Sequence, residues 1–334
     1  MIAGLLATLI WSRYLILNVT CFRAVDLSRR SYIMSMSSKS FLSDVRDAIS
    51  ESLGRNLGDP ALGGSYGGGG GGCSTGEITF STGESFFYKR GGIQDFDMLR
   101  AEYEGNKAMA ATKTIRVPTP IVVGTSDYSS YAVFEKLNLG GRGSGRRYAE
   151  QLCAMHKCSS PDGKYGFHIN NTCGATPQIN TPESTWADFW CKHRLGSIMS
   201  MAKYEGATFS NEAEIMQKTH DILAAHERKH DLKPSLVHGD LWSGNQAFTK
   251  EGDACIFDPA TYYGDREVDI AMTRLFGCNS REFYDTYNAE WPMPEGWEER
   301  QVIYNAYHIL NHYVLFGGGY LQQGKSMLER VLRF

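Results

Sequence analysis

The sequence predicts an α+β chain of two unequal parts, a small β-rich lobe followed by a larger helical one. Short apolar runs at 78–81, 85–88, 121–123 and 131–135 have the length and residue types of strands and crowd the first third. Apolar residues at helical spacing fill 146–157, 184–203, 210–229 and 297–316. Between the two patterns, the glycines of 140–145 read as a crossing from one lobe to the other. A sheet covered by helices and joined to a helical body is a stable layered plan. The expected division is therefore a tail at 1–40, a sheet lobe at 41–138 and a helical lobe at 139–334.

The 334 residues are 42% hydrophobic and 21% charged, enough apolar material for a core without disulfides. A formal net charge of -3 gives no bulk attraction to nucleic acid or to an anionic membrane. Eight cysteines are scattered with no CxxC pair, which suits reduced thiols rather than a disulfide or zinc framework. The first 22 residues are apolar but interrupted by Arg13, and 23–40 are basic and Ser-rich with Asp26 as the one acid. That composition reads as a targeting segment, with plastid import ahead of a mitochondrial presequence, and a disordered tail on a cytoplasmic enzyme as the plain alternative. Arg13 counts against a membrane anchor.

Ser40 is placed to cap a helix over 41–53 that carries Leu42, Val45, Ile49 and Leu53 on one face, with Gly54 and Gly58 ending it. Residues 63–72 are almost all glycine and lead into the strands at 78–81 and 85–88, joined at Thr82-Gly83. Gly70, Gly71 and Gly72, with Cys73, form a loop whose backbone N–H groups can approach phosphate oxygens. A helix over 97–111 follows and is broken by the prolines at 118 and 120. The strand at 131–135 reads either as core or as a hinge, where backbone groups of Glu135 and Leu137 would meet a nucleobase.

The segment LVHGDLWSGNQAFTKEGDACIFD, residues 236–258, carries the chemistry. Asp240 and Asn245 stand five apart in a polar loop after an apolar run. The β-like runs 246–249 and 254–257 fold back around the turn at 250–253 and bring Asp258 beside Asn245. Three oxygen-bearing side chains then converge. Phosphoryl transfer needs such a set: a carboxylate that takes or orients the hydroxyl proton, and an amide plus a second carboxylate that hold Mg²⁺. The order Asp-x4-Asn then Asp follows the catalytic loop and metal-binding Asp of protein kinases, with His-Gly-Asp for His-Arg-Asp and Asp-Pro-Ala for Asp-Phe-Gly. Lys89 closes a strand beneath the glycine loop, and Glu102 lies mid-helix where a carboxylate can pair with it; Glu104, on another helical face, is the competing candidate.

HGDLWSGN (238–245), FDPATYYGDREVDIAM (257–272), GATPQIN (174–180) and the Phe-Phe-x-Lys strand (86–89) together resemble the fructosamine-3-kinase, or ketosamine-3-kinase, family over about residues 41–334. The resemblance implies a protein-kinase-like, aminoglycoside-phosphotransferase-like fold. It implies ATP-dependent phosphorylation of the 3-hydroxyl of protein-bound ketosamines, after which the 3-phosphate eliminates and frees the amine. Ribulosamine and erythrulosamine rank ahead of fructosamine on likeness to plant and microbial members. By position, Asp240 is the base, Asn245 and Asp258 hold Mg²⁺, and Lys89 with Glu102 anchors the nucleotide phosphates. Asp269 supports the catalytic loop, and Trp242 either stacks on the sugar or packs between lobes. A cysteine at the Cys73 position forms an intermolecular disulfide in some members, so a monomer or a redox-dependent homodimer is expected, acting on glycated proteins or small ketosamines. Tyr88 and Arg90-Gly91 depart from the family pattern around the strand lysine, and the glycine run is long. Two rival readings are a kinase of a free small molecule, such as an aminoglycoside or amino alcohol, and a non-catalytic module of the same fold. The joint presence of Lys89, Glu102, Asp240, Asn245 and Asp258 argues against the second.

Overall fold

The computed structural model describes residues 41–68 and 72–334. Residues 41–53 are helical (α1) and end as the glycines predict. Gly54, at φ +66°, lets its own N–H reach Glu51 O at 3.2 Å and that of Arg55 reach Ser50 O at 3.0 Å. Ser40, the expected cap, lies outside the described residues, as do the targeting segment and Gly70 and Gly71.

Five strands follow: β1 (Pro60–Gly68), β2 (Ser74–Phe80), β3 (Ser85–Gly92), β4 (Pro120–Ser126) and β5 (Ser129–Glu135), with α2 (Phe96–Ala111) between β3 and β4. They form one antiparallel sheet in the order β1-β2-β3-β5-β4. The period of two along a strand divides the side chains between its faces. Phe86, Tyr131 and Val133 pack with Phe41, Val45 and Ile49 of α1, whereas Phe87, Ala132 and Phe134 cluster with Leu99 on the α2 side. Lys89, paired across the ladder with Ala132, falls by that parity on the α2 face.

The glycine run departs from expectation. Residues 63–68 are not loop but the second half of β1, an edge strand whose register slips between Leu62 and Ser65 and again before Gly67. Ladder bonds use only backbone, so glycines can pair, and irregular pairing at a sheet edge is where such residues are tolerated.

The remainder is mostly helical: α3 (Gly145–His156), α4 (Trp186–Trp190), α5 (Gly196–Tyr204), α6 (Glu212–His230), α7 (Glu267–Met272), α8 (Arg281–Glu290), α9 (Trp297–Phe316) and α10 (Tyr320–Val331). Two-stranded pieces complete it: β6 (Asn171–Cys173) with β7 (Thr176–Gln178), β8 (Ser235–Val237) with β11 (Tyr262–Gly264), and β9 (Gln246–Phe248) with β10 (Ala254–Ile256). The helix expected over 184–203 is α4 and α5 joined through a π-helical turn at Cys191–Leu195. Its core gathers Trp186, Trp190, Tyr304 and Leu310, all buried, with Trp186 Nε1 donating to Tyr304 Oη at 3.0 Å. The crossing at 140–145 is pinned: the amides of Gly140 and Gly141 both reach Phe248 O, and a Cβ on Gly141 would land 1.8 Å from Thr249 O. Among the described residues, no helix is long and apolar enough to cross a membrane.

A buried ionic network ties α6, α7 and α9. Arg300 grips Glu267 with two bonds of 2.7 and 2.8 Å, while Asp265 accepts from Tyr304 at 2.8 Å and faces His226 at 3.0 Å. Removing one member strands buried charge. Arg300→Ala is expected to cost about 3–5 kcal/mol of folding free energy, read as a lower urea midpoint at unchanged slope; an unaltered midpoint would show the network contributes nothing.

Candidate active site

The segment carrying Asp240 leaves β8 through His238 and Gly239. Gly239 sits at φ +81°, and a Cβ there would lie 2.3 Å from Ala260 O, so only glycine fits this turn. Asp269, fully buried at the start of α7, accepts from the amides of His238 at 2.7 Å and Gly239 at 2.9 Å, and its Oδ2 lies 3.1 Å from His156 Nε2. Burial alone would raise the Asp269 carboxyl; the bond and charge of His156 outweigh it and hold it below the ordinary carboxylate value. His238 accepts from the Asp240 amide through Nδ1 at 3.2 Å, so its Nε2 carries the proton given to Phe257 O at 2.9 Å. The loop carrying Asp240 is thus held from both sides by groups that make no other approach to the cleft.

Asn245 closes the loop. Its Nδ2 donates to Asp240 O at 2.9 Å and to Asp240 Oδ2 at 3.3 Å, and its main-chain O accepts from Phe257 N at 3.1 Å. The β9–β10 hairpin then returns, with Gln246 opposite Ile256, and delivers Asp258 beside Asn245 as the sequence predicts. Asp258 takes φ +57°, a left-handed conformation that aspartate tolerates better than most residues. Asp240 keeps 18% of its side-chain surface and faces the cleft. Burial first, and then the neighbouring Asp258 charge, push its carboxyl up to about 7, against hydrogen bonds from Cys173 and Asn245 that favour the anion.

Lys89 reaches into this cluster from β3. Its Nζ lies 2.9 Å from Glu102 and 2.8 Å from Asp258. Burial opposes its charge, but the two carboxylates outweigh it and hold the ammonium well above the usual lysine value. Glu104 points elsewhere, 3.8 Å from both Lys107 and His168. The departures at Tyr88 and Arg90 fall on the opposite face, with the Tyr88 ring 5.8 Å from that of Phe41 and the Arg90 guanidinium 4.1 Å over it. They leave the lysine's register untouched.

Two cavities meet at Glu102 and Asp258. The first, about 440 Å³, is bounded by Phe87, Phe134, Phe257 and the segment from Glu135 to Leu139. Its surface is mostly apolar, with Glu77, Asn106 and Lys136 also lining it. The second, about 310 Å³, is lined by Lys89, Met98, Asp240, Trp242, Asn245 and the β6–β7 residues Asn171, Thr172 and Gly174. Trp242 is 40% exposed, its ring laid over Gly244, where any Cβ would meet it at 2.3 Å. Asn171, Thr172 and Gly174 were not assigned a role from sequence; the GATPQIN segment marks where to look, but residues that line a cavity from a three-residue strand leave no periodic signal.

Cys73 differs from expectation. It is 1% exposed, packed with Leu99, Ala132 and Phe134 beneath the sheet, and burial pushes its thiol up to about 11. A thiol so placed has little thiolate and no access to a second chain unless the β1–β2 hairpin opens. The folded chain therefore gives no support to the redox-dimer reading.

A Synechocystis protein named as a ketoamine kinase is 44% identical over 266 residues, covering 79% of this chain and 88% of its own length. Proteins named protein-ribulosamine 3-kinase, chloroplastic, from Oryza sativa and Arabidopsis thaliana are 37% identical over 270 residues, covering 79% of this chain and 78% and 81% of theirs. Among solved structures, one described as a fructosamine-3-kinase from Haemophilus somnus superposes with a TM-score of 0.76 at 28% identity, covering 86% of this chain and 96% of its own. An aminoglycoside phosphotransferase matches with a TM-score of 0.55 at 14% identity, a likeness of fold alone. The family model for fructosamine kinase matches residues 47–334, and the chain belongs to that family.

Proposed function

We propose that the protein is an ATP-dependent ketosamine 3-kinase that acts on sugar adducts of protein amines. The observation that carries the proposal is the convergence of Asp240, Asn245, Asp258 and the Lys89–Glu102 pair on one cleft formed by the sheet lobe and the helical body. Asp240 faces the second cavity, where an acceptor hydroxyl would sit, and serves as the base. Asn245 and Asp258 fit a magnesium ion. With Nδ2 committed to Asp240, the Asn245 amide offers its oxygen, which with the Asp258 carboxylate makes the hard donor set this metal prefers. Held by these two side chains, a magnesium ion would supply positive charge against the nucleotide phosphates. Lys89, oriented by Glu102, meets the same phosphates from above.

The adenine belongs in the apolar cavity. The Glu135 amide is taken by Thr119 O at 2.8 Å, so the backbone donor on this segment is Leu137. Gly72 meets the phosphates through its backbone N–H. The acceptor stacks its sugar or amine-bearing arm on Trp242. Among the described residues, the second cavity is lined by no acidic group beyond Glu102, Asp240 and Asp258, which favours a singly charged adduct over a polycationic aminoglycoside. The names of the plant relatives support ribulosamine as the preferred sugar and the plastid as the destination. A fluorescent reporter fused behind residues 1–40 should enter plastids; a diffuse or mitochondrial signal would refute that destination.

The activity is tested by ATP consumption with ribulose-lysine, fructose-lysine and an aminoglycoside side by side. Ribulose-lysine is expected to turn over fastest, and turnover of the aminoglycoside alone would overturn the reading. Asp240→Asn should lower kcat by about 10²- to 10⁴-fold with nucleotide affinity nearly unchanged, whereas Asp258→Asn should weaken Mg²⁺–ATP binding as well. A near-normal rate for Asp240→Asn removes it as the base. Trp242→Ala is expected to raise KM for the ketosamine but not for ATP; equal effects on both would assign the ring to lobe packing.

A further inference from the structure

Beneath the proposed base lies a cluster that phosphoryl transfer does not use. Cys173 ends β6, and His308 projects from the middle of α9; they are 2% and 3% exposed. His308 Nδ1 stands 3.9 Å from Asp240 Oδ1. One ligand atom from each of Cys173, Asp240 and His308 lies within 4.8 Å of the others. His308 Nδ1 is buried and makes no hydrogen bond to any described residue, although it faces a carboxylate. A buried polar atom in that condition calls for an explanation.

We propose that Cys173, Asp240 and His308 form a site for a borderline divalent cation of the zinc type, and that its occupation removes Asp240 from catalysis. The donor set makes the selection. Sulfur and imidazole nitrogen suit zinc-like ions, whereas magnesium takes oxygen and is served by Asn245 and Asp258. Thiolate and carboxylate together carry two negative charges, and with a neutral imidazole they balance a dication in a buried place. The thiol proton leaves to solvent as the metal enters. Three protein ligands are the complement of a tetrahedral site with one open position. The route in is past Asp240, the member of the three that faces the acceptor cavity.

Binding rests on the geometry alone; the inhibitory consequence rests on the proposed role of Asp240, and two readouts separate them. The full chain, stripped of metal, is titrated with cobalt(II) as the spectroscopic probe. A near-ultraviolet thiolate-to-cobalt band is expected, absent in Cys173→Ser and weakened in affinity by about tenfold or more in His308→Phe. Thermal melting of both variants verifies that they fold. No band in the wild type, or an equal band in Cys173→Ser, overturns the site. Separately, zinc at saturating Mg²⁺–ATP should inhibit the wild type, relieved by a chelator, with at least about tenfold higher half-inhibitory concentration in each variant relative to its own zinc-free rate. A cobalt band without zinc inhibition keeps the metal site and removes Asp240 from the role of base. Equal zinc inhibition in all three proteins assigns that effect to the nucleotide's own metal and overturns the inhibitory part.

Discussion

The ammonium of Lys89 is the point on which the two lobes agree. It leaves β3 on the sheet, is held by Glu102 of α2, and touches Asp258 at the end of the catalytic hairpin. A buried cation without partners costs several kcal/mol, so this side chain specifies its surroundings: both carboxylates must be present, and both lobes must be in register to supply them. The period-two alternation that sends Phe87 and Lys89 toward α2 is therefore more than packing. Shifting β3 by one residue would bury Tyr88 or Arg90 against Glu102 and leave two acids facing each other without a cation.

A second constraint acts from below. Asp269 gathers two consecutive amides of the catalytic loop and a histidine from α3, and it is itself set on α7 beside the Arg300–Glu267 network. The Asp240 carboxylate is thus positioned by backbone, and the backbone is positioned by charges that never meet solvent. The groups that fix geometry are sealed in the helical body, while Asp240, Asn245 and Asp258 line the cleft.

The sequence made legible what leaves a pattern. The apolar runs at 85–88 and 131–135, the helical spacing of 297–316, and the Asp-x4-Asn loop followed by a hairpin all mapped to their elements. What it hid has physical reasons. β6, β7, β8 and β11 are three residues each, too short for any period. All six residues of α7 are buried, so it shows no polar face to mark it as a helix. Glycines at 63–68 carry no side chain by which strand can be told from loop. Cys73 sits beside a loop in sequence but under the sheet in space, and its burial decides its reactivity. His308 hides in a helix buried on most sides, where a histidine looks like filler.

The glycine tract carries a consequence for how this lineage can vary. Its ladder with β2 closes at Gly68 opposite Ser74, and everything that matters for the lysine is set on the far side, where β2, β3 and β5 pair without slippage. A change in the length of the run would therefore fall at the β1 end of the sheet, away from the ladders that set Lys89.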